Sequence, residues 1–406
     1  MNILFLTLAN ICTLAEKGIY HDLMREFAKN GHQVYIATPI ERRYRKNTEL
    51  IEENNCRILR IKTGNIQKTN LIEKGISTLR LEPQFKKAIK KYFNDVKFDL
   101  VIYTTPPITF AKVVGYIKKR DGAQSLLLLK DIFPQNAVDL GILSKKGLKG
   151  IIYKFFRKKE RRLYELSDNI GCMSQANLDY VLEHNPTVKR EKLFISPNSI
   201  EPKYIEASPE EKKALREKYD IPADKKVLVY GGNLGKPQSV PFIIECLKSQ
   251  KDNDGVFFLI VGDGTDYHLF EDFVKKDNPE NVKVLKRLAK EDFDTLVASC
   301  DVGMIFLDHR FTIPNYPSRL LSYMQAGIPV LACTDPNTDV GKDIVENGFG
   351  WWCESNDVDA FDNTLTKIAD SDLKAMGAKA CKHLADYFSV NVCYEEIMRC
   401  LHHENS

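Results

Sequence analysis

Val227-Leu228-Val229-Tyr230-Gly231-Gly232-Asn233-Leu234-Gly235-Lys236 decides the reading of the second half of the chain. A short apolar run breaks into paired glycines before an amphipathic stretch, the pattern of a buried strand turning into a helix. Glycines at such a turn let backbone N–H groups approach an anion, and the next helix offers its positive end. One unit later Val256-Phe257-Phe258-Leu259-Ile260-Val261 runs into Gly262-Asp263-Gly264-Thr265. Neither turn matches G-x-x-x-x-G-K-[ST] or G-x-G-x-x-G, so a tight structural turn stays open for each. The runs 282–285, 302–306 and 329–332 are further strand candidates.

The same alternation fills the first half. Residues 2–8, 33–38, 56–61, 98–103, 125–129, 169–173 and 193–196 read as strands. Between the first two lies a helical pattern with Ile19, Leu23 and Phe27 in step, closed by Gly31. Strand–helix alternation implies parallel sheets with helices on both faces. Residues 196–226 hold Pro197, Pro202, Pro209 and Pro222 among many charges, and read as a linker plus a charged helix. Beyond Asp357 the pattern is helical. The expectation is α/β: two tandem doubly wound, Rossmann-like parallel-sheet domains, with ligands at the carboxyl ends of their strands and in the cleft between them.

Composition agrees. The chain has 406 residues, 43% of them hydrophobic, which excludes global disorder and exceeds one layered core. No uncharged apolar run reaches ~18 residues, so no membrane-spanning helix is expected. Residues 1–15 are apolar, but no basic residue precedes them and Leu14-Ala15-Glu16 is a poor cleavage site. A buried first strand is expected there rather than a signal peptide. The ten cysteines form no C-x-x-C pair and no zinc spacing with histidine, as free buried thiols in a reducing cytoplasm would.

The net charge of +4 hides a split. Residues 1–200 carry 35 Lys and Arg against 20 Asp and Glu, net +15; the remainder is net −11. A basic half prefers phosphates, on lipid, nucleic acid or nucleotide. Nine of those cations lie in 145–166, against Glu160 and Glu165. Leu148, Ile152, Phe155 and Phe156 recur there at helical spacing. A core-packed helix with a solvated basic face and a helix lying on an anionic bilayer are the alternatives; no nucleic-acid motif accompanies the charge. Peripheral attachment to the cytoplasmic face of the membrane is expected.

Three other segments carry chemistry. Phe311-Thr312-Ile313-Pro314-Asn315-Tyr316-Pro317-Ser318-Arg319 precedes a helical stretch, with Pro317 suited to its first turn. Backbone N–H groups there, with Arg319, would suit a diphosphate. An apolar strand runs into Lys130-Asp131-Ile132-Phe133-Pro134-Gln135-Asn136, where the charged pair either meets substrate or only solvates a strand end. Asp252-Asn253-Asp254 has the D-x-D form of a metal motif but sits in a polar turn, and no metal or other cofactor is expected. His32 reads as a surface residue entering a strand, and His309 as a residue near the Arg319 loop.

In order and spacing these segments resemble the family 4 glycosyltransferases of the GT-B fold, over essentially the whole chain. The resemblance rests on Gly31-His32-Gln33-Val34, Thr105-Pro106-Pro107, Lys130 to Ala137, Asp139-Leu140-Gly141 and Pro197-Asn198-Ser199-Ile200. It continues through Gly231-Gly232-Asn233, Val261 to Gly264, Pro317-Ser318-Arg319 and Ala326-Gly327-Ile328-Pro329-Val330. The Asp-Ile-Phe-Pro block is most similar to bacterial O-antigen and capsule transferases. The resemblance implies an acceptor domain at 1–200, a nucleotide-sugar domain at 201–380, and a helical segment 381–406 packing back on the first. It implies a UDP-sugar, a glycan acceptor carried on a polyprenyl diphosphate, retention of configuration and no metal. Lys236 and Arg319 would hold the phosphates, and Asp131 would lie near the transferred sugar. Gly231, Gly232, Asn233, Gly262, Asp263, Gly264, Pro317, Ser318 and Ser322 would line the donor side, Gly18 and Lys130 the acceptor side. The family's paired glutamates fall here on Pro314 and Ser322, so Asp308, Asn315 or Gln325 would have to substitute. A nucleotide-sugar epimerase and a non-catalytic partner subunit are the competing readings.

Overall fold

The computed structural model describes residues 1–66, 69–204 and 208–403 and divides into two units. The first holds residues 1–201 and the segment from Val390 onward; the second is Pro202–Ser389. In the first, strands β1 (Asn2–Leu6), β2 (Gln33–Glu41), β3 (Glu49–Glu53), β4 (Cys56–Thr63), β5 (Leu100–Thr104), β6 (Gln124–Leu129), β7 (Asn169–Cys172) and β8 (Leu193–Ile195) form one sheet, ordered β3-β4-β2-β1-β5-β6-β7-β8. In the second, β9 (Lys226–Asn233), β10 (Val256–Asp263), β11 (Val282–Lys286), β12 (Val302–Phe306), β13 (Val330–Thr334) and β14 (Gly350–Glu354) are ordered β11-β10-β9-β12-β13-β14. Every described pairing is parallel except β3 with β4. The expected α/β class holds in both units.

Two strands escaped the sequence pattern. β3 reads Glu-Leu-Ile-Glu-Glu and no residue of it is fully buried; as an antiparallel edge it needs no continuous apolar run, and its charges discourage further pairing. β14 is an edge of the second sheet and begins with a glycine whose Cβ would fall 1.9 Å from the Val330 carbonyl oxygen. The charged linker contains helix Pro209–Lys218, started by a capping box between Ser208 and Glu211; residues 205–207 of that linker lie outside the described residues.

The chain returns to the first unit at Val390, later than the expected 381. Helix Leu373–Tyr387 is held in the second unit by close backbone approach: a Cβ on Gly377 would meet the Gly327 carbonyl oxygen at 1.8 Å. The Cys381 thiol also donates to Met324 O, and His383 bonds Asp343. Helix Val390–His403 then buries Val390, Cys393, Ile397 and Leu401 with Leu23, Met24 and Phe27 of helix Ile19–Lys29. Each such fully buried aliphatic contributes about 1.5–3 kcal/mol. His32, expected at the surface, is buried at this contact and its Nε2 lies 3.0 Å from the Tyr394 hydroxyl.

Both sheets reverse strand order once, between β1 and β5 and between β9 and β12. Ligands of doubly wound sheets settle outside the carboxyl ends at such reversals.

The Gly377–Gly327 contact makes a prediction. Gly377→Ala is expected to destabilise the second unit by about 1–3 kcal/mol through overpacking. The two tryptophans, Trp351 and Trp352, both lie in β14, so urea unfolding followed by tryptophan fluorescence reads that unit. A midpoint equal to wild type would refute the contact.

Candidate functional site

At the reversal in the second unit, register sets Gly231 opposite Val261, Gly232 opposite Gly262 and Asn233 opposite Asp263. The two glycine turns therefore lie side by side, with glycines that serve different ends. A Cβ on Gly231 would strike the Phe293 ring at 2.0 Å, on Gly262 the Gly232 carbonyl oxygen at 2.2 Å, and on Gly264 the Leu234 carbonyl oxygen at 2.1 Å. Those three permit close packing. Gly232 alone has a left-handed backbone, with φ 131°, and its open side faces Arg319, whose Nη2 would be 3.1 Å from an added Cβ.

The Arg319 guanidinium lies over the Tyr230 ring, 4.4 Å from the centroid. Its Nη1 is buried with no hydrogen-bond partner. A buried, unmatched N–H of a charged group is costly, and here it stands beside an open glycine turn. The Tyr323 hydroxyl donates to Met304 O and accepts from Gly231 N–H, at 3.0 and 3.1 Å, tying helix Arg319–Gln325 to the end of β9. Lys236 is exposed in the 3-10 turn Lys236–Gln238, and the Asp308 N–H donates to the Pro237 carbonyl. The turn after β9 and the loop after β12 are thereby joined. Asn233 donates to Gln238, and Asp263 is exposed at the end of β10.

The helix runs Arg319–Gln325. Ser318 is its N-cap, without a side-chain cap bond, so Pro317 stands outside the first turn. At seven residues its dipole is short, and the charge at this edge rests on Arg319 itself. Ser322 is half-buried on the same helix and Pro314 is buried. Of the substitutes for the missing carboxylates, Asp308 is engaged: burial pushes its carboxyl up, but Arg310, at 2.8 and 2.6 Å, draws it below the usual range. Gln325 accepts from Lys203 N–H. Asn315 keeps a buried Nδ2 with no partner. The sequence reading missed Asp335, just past β13. Its Oδ1 accepts from Asn337 and Thr338 N–H, its Oδ2 is buried without a partner, and burial raises the carboxyl to about 6. The only sequence signal was an aspartate directly after a strand. His309 is exposed, 3.8 Å from Asp308.

In the first unit, the backbone N–H groups of Lys130 and Asp131 both donate to Thr105 Oγ1, at 3.0 and 3.2 Å, joining the ends of β5 and β6. The side chains then part. Lys130 Nζ donates to Ser196 O at 2.9 Å, and burial lowers its amine to about 8. Asp131 accepts from Asn136 Nδ2 at 2.8 and 2.9 Å, and burial raises its carboxyl to about 6. Gly18 caps helix Ile19–Lys29 with an extended backbone open to any residue; only the His21 ring, 2.9 Å from an added Cβ, restricts it.

The basic segment forms helix Gly147–Leu166. Leu148, Ile151, Ile152 and Phe155 are exposed, Leu148 to 83%. Phe156, expected on that stripe, turns inward onto Phe133, with centroids 5.1 Å apart. Among the described residues, no group of three or more His, Cys, Asp or Glu is placed to hold a metal ion, and no helix is long and apolar enough to cross a membrane. All ten cysteines are free.

Residues 19–204 match the family described as Glycosyltransferase Family 4, and residues 211–386 match Glycosyl transferases group 1. WbjE of Pseudomonas aeruginosa, assigned as a glycosyltransferase, is 23% identical over 336 residues, 82% of this chain and 81% of that one. WcaI of Escherichia coli K12, assigned as a colanic acid biosynthesis glycosyl transferase, is 23% identical over 247 residues, 61% of this chain and 60% of that one. Among solved structures, sucrose-phosphate synthase from Thermosynechococcus elongatus aligns with a TM-score of 0.75 at 14% identity, covering 99% of each chain. Anabaena HepE in complex with UDP aligns with a TM-score of 0.70 at 16% identity, covering 99% of this chain and 100% of that one. At those identities the structures speak to fold, which is GT-B.

The raised Asp131 carboxyl sets a pH prediction. Held at about 6 in the folded chain against a reference of 3.8, it binds its proton more tightly folded than unfolded. Its stabilising effect is therefore full below the unfolded value and is lost as pH rises through about 6. Asp131→Asn removes that loss, and is expected to gain about 1–3 kcal/mol on wild type between pH 4 and pH 7.5. Urea midpoints at the two pH values measure it; parallel curves would refute it.

Proposed function

This chain belongs to the glycosyltransferases that join a family 4 domain to a group 1 domain, and we propose that it moves a sugar from a nucleoside-diphosphate sugar to a bacterial surface glycan. The observation that carries the reading is Arg319: a guanidinium with a buried, unpartnered Nη1, laid on Tyr230 beside the open Gly232 turn. A diphosphate supplies the acceptor oxygens that this group lacks. UDP is the leaving group proposed, in keeping with the UDP-bound structural neighbour, and surface glycan assembly follows the colanic acid biosynthesis role assigned to WcaI.

In this reading Arg319 and Lys236 neutralise charge that develops on the leaving diphosphate, which is electrostatic stabilisation of the transition state without a metal. Asn233, Asp263 and the Pro317-Ser318 loop surround the donor, with Gly231, Gly262 and Gly264 shaping the turns from behind. Ser322 and Asn315 offer hydrogen bonds where the family's carboxylates are missing. Asp131 lies beside the transferred sugar, with Lys130 and Gly18 on the acceptor side. Configuration is retained, and the leaving phosphate takes the acceptor proton, so no dedicated base is needed. A non-catalytic partner subunit is the second reading, favoured by Pro314 and Ser322 in the glutamate positions.

A panel of nucleotide sugars with and without acceptor separates these. Acceptor-dependent nucleotide release supports transfer; none, with UDP still bound, supports the subunit. Arg319→Ala is expected to lower kcat/KM for the sugar donor by roughly 10- to 150-fold, the worth of a charged hydrogen bond. An unchanged value in a folded variant would remove Arg319 from the site.

The acceptor proposed is a glycan on a polyprenyl diphosphate, met at the membrane surface. Support comes from the exposed stripe Leu148, Ile151, Ile152 and Phe155 within a basic helix. Apolar side chains can enter the headgroup layer while each flanking Lys or Arg contributes about 1 kcal/mol on an anionic surface. Co-sedimentation with phosphatidylglycerol vesicles is expected to collapse in high salt and when Lys154, Arg157, Lys158 and Arg161 are changed to Glu. Binding that survives both would exclude this helix as the anchor.

A further inference from the structure

Arg319 can act on a diphosphate only if the loop before it is held still, and the means lie outside the site. Tyr316, three residues upstream, is buried, and its ring stacks on Phe388 at 5.9 Å and 27°. Its hydroxyl donates to Asp343 Oδ2 at 2.5 Å. Asp343 stands on helix Val340–Glu346 and also faces Nε2 of the buried His383, at 3.0 and 3.2 Å from its two oxygens. Asn347 Nδ2 donates to Asp343 Oδ1 at 2.9 Å. His383 stands on helix Leu373–Tyr387 and packs edge-on against the same Phe388 ring.

One carboxylate thus joins the loop to two helices by charge-assisted bonds, which are stronger than neutral ones. The rest of the loop is secured separately: the Thr338 hydroxyl donates to Asn315 O, and Asn337 Nδ2 to Phe311 O. Burial and the neighbouring Asp343 charge hold the Tyr316 hydroxyl protonated, well above its ordinary range, so it remains a donor.

We propose that Tyr316, Asp343 and His383 are positioning residues of the sugar-donor site: they touch no substrate, and they fix where Arg319 presents its guanidinium. The proposal rests on the nucleotide-sugar reading of Arg319. A preorganised cation binds the diphosphate without first ordering its own loop. Releasing Tyr316 should therefore weaken nucleotide binding while leaving the chemistry of a bound donor nearly intact.

The test compares the full-length wild type with Tyr316→Phe, Asp343→Asn, His383→Ala and His383→Gln. UDP affinity is measured by calorimetry well below each thermal midpoint, and donor KM and kcat by turnover. Tyr316→Phe deletes a single oxygen and keeps the stacked ring, so it reads positioning even where a harsher change fails to fold. Expected are rises in UDP Kd and donor KM of about 5- to 30-fold in Tyr316→Phe, Asp343→Asn and His383→Ala, with kcat within about twofold. His383→Gln, which keeps an N–H donor, should recover most of the loss. UDP affinity equal to wild type in folded Tyr316→Phe overturns the proposal alone. So does a fall in kcat at unchanged KM. A wild type that binds no nucleoside diphosphate overturns the nucleotide-sugar reading, and this proposal with it.

Discussion

Two parallel strands ending in register, with Gly232 against Gly262, govern the charged edge of the second unit. Nothing larger than hydrogen fits on Gly262, because the Gly232 carbonyl already occupies that space. The approach presses the second turn beneath the first and leaves Gly232 as the glycine that opens toward Arg319. Tyr230 is the last large side chain before the turn, so its ring becomes the floor on which the guanidinium lies. Change the register by one residue and ring and turn would exchange faces. The strand order contributes equally: because β12 lies on the other side of β9 from β10, the loop bearing Arg319 arrives beside the glycine turn instead of behind it.

Charges at the two carboxyl-end clusters are treated in opposite ways. In the second unit Asp308 is neutralised locally by Arg310, and the buried Nη1 of Arg319 keeps no partner. In the first unit burial acts against both members of the Lys130–Asp131 pair, lowering one and raising the other toward neutrality. Desolvation of this size is what places titrations near physiological pH, and it is concentrated at functional sites more than elsewhere. Asp131 has the further influence of Glu160, on the helix behind it, pushing the same way.

The strand–helix alternation was legible because parallel strands are buried on both faces and read as continuous apolar runs. β3 was illegible for the complementary reason: it is an antiparallel edge as charged as Glu-Leu-Ile-Glu-Glu, while β14 opens on Gly350 and offers only three apolar residues in a row. Among the candidate site residues, Arg319, Lys236 and Asp131 could be named from residue type and strand ends. The division of labour among the glycines could not, since it depends on Phe293 and Leu234, which arrive from other segments. Asp335, Tyr230 and the Tyr316–Asp343–His383 set were hidden similarly: their significance is pairwise, and the partners are far apart in sequence. For helix Gly147–Leu166 the spacing gave an amphipathic stripe, but only packing could show that Phe156 faces Phe133 while Ile151 faces water.

Helix Val390–His403 completes the core of the first unit from beyond the whole of the second. On the ribosome, domains fold as units in the order they emerge. Here the first sheet is made before the second unit, yet Leu23, Met24 and Phe27 stay incompletely covered until residues 390–403 leave the exit tunnel. The second unit, by contrast, is one unbroken stretch and can fold while the first still waits. A nascent chain therefore spends the whole synthesis of residues 202–389 with an apolar face open on the first unit, and a ribosome that stalls before Val390 releases a product in which the second unit is finished and the first is not.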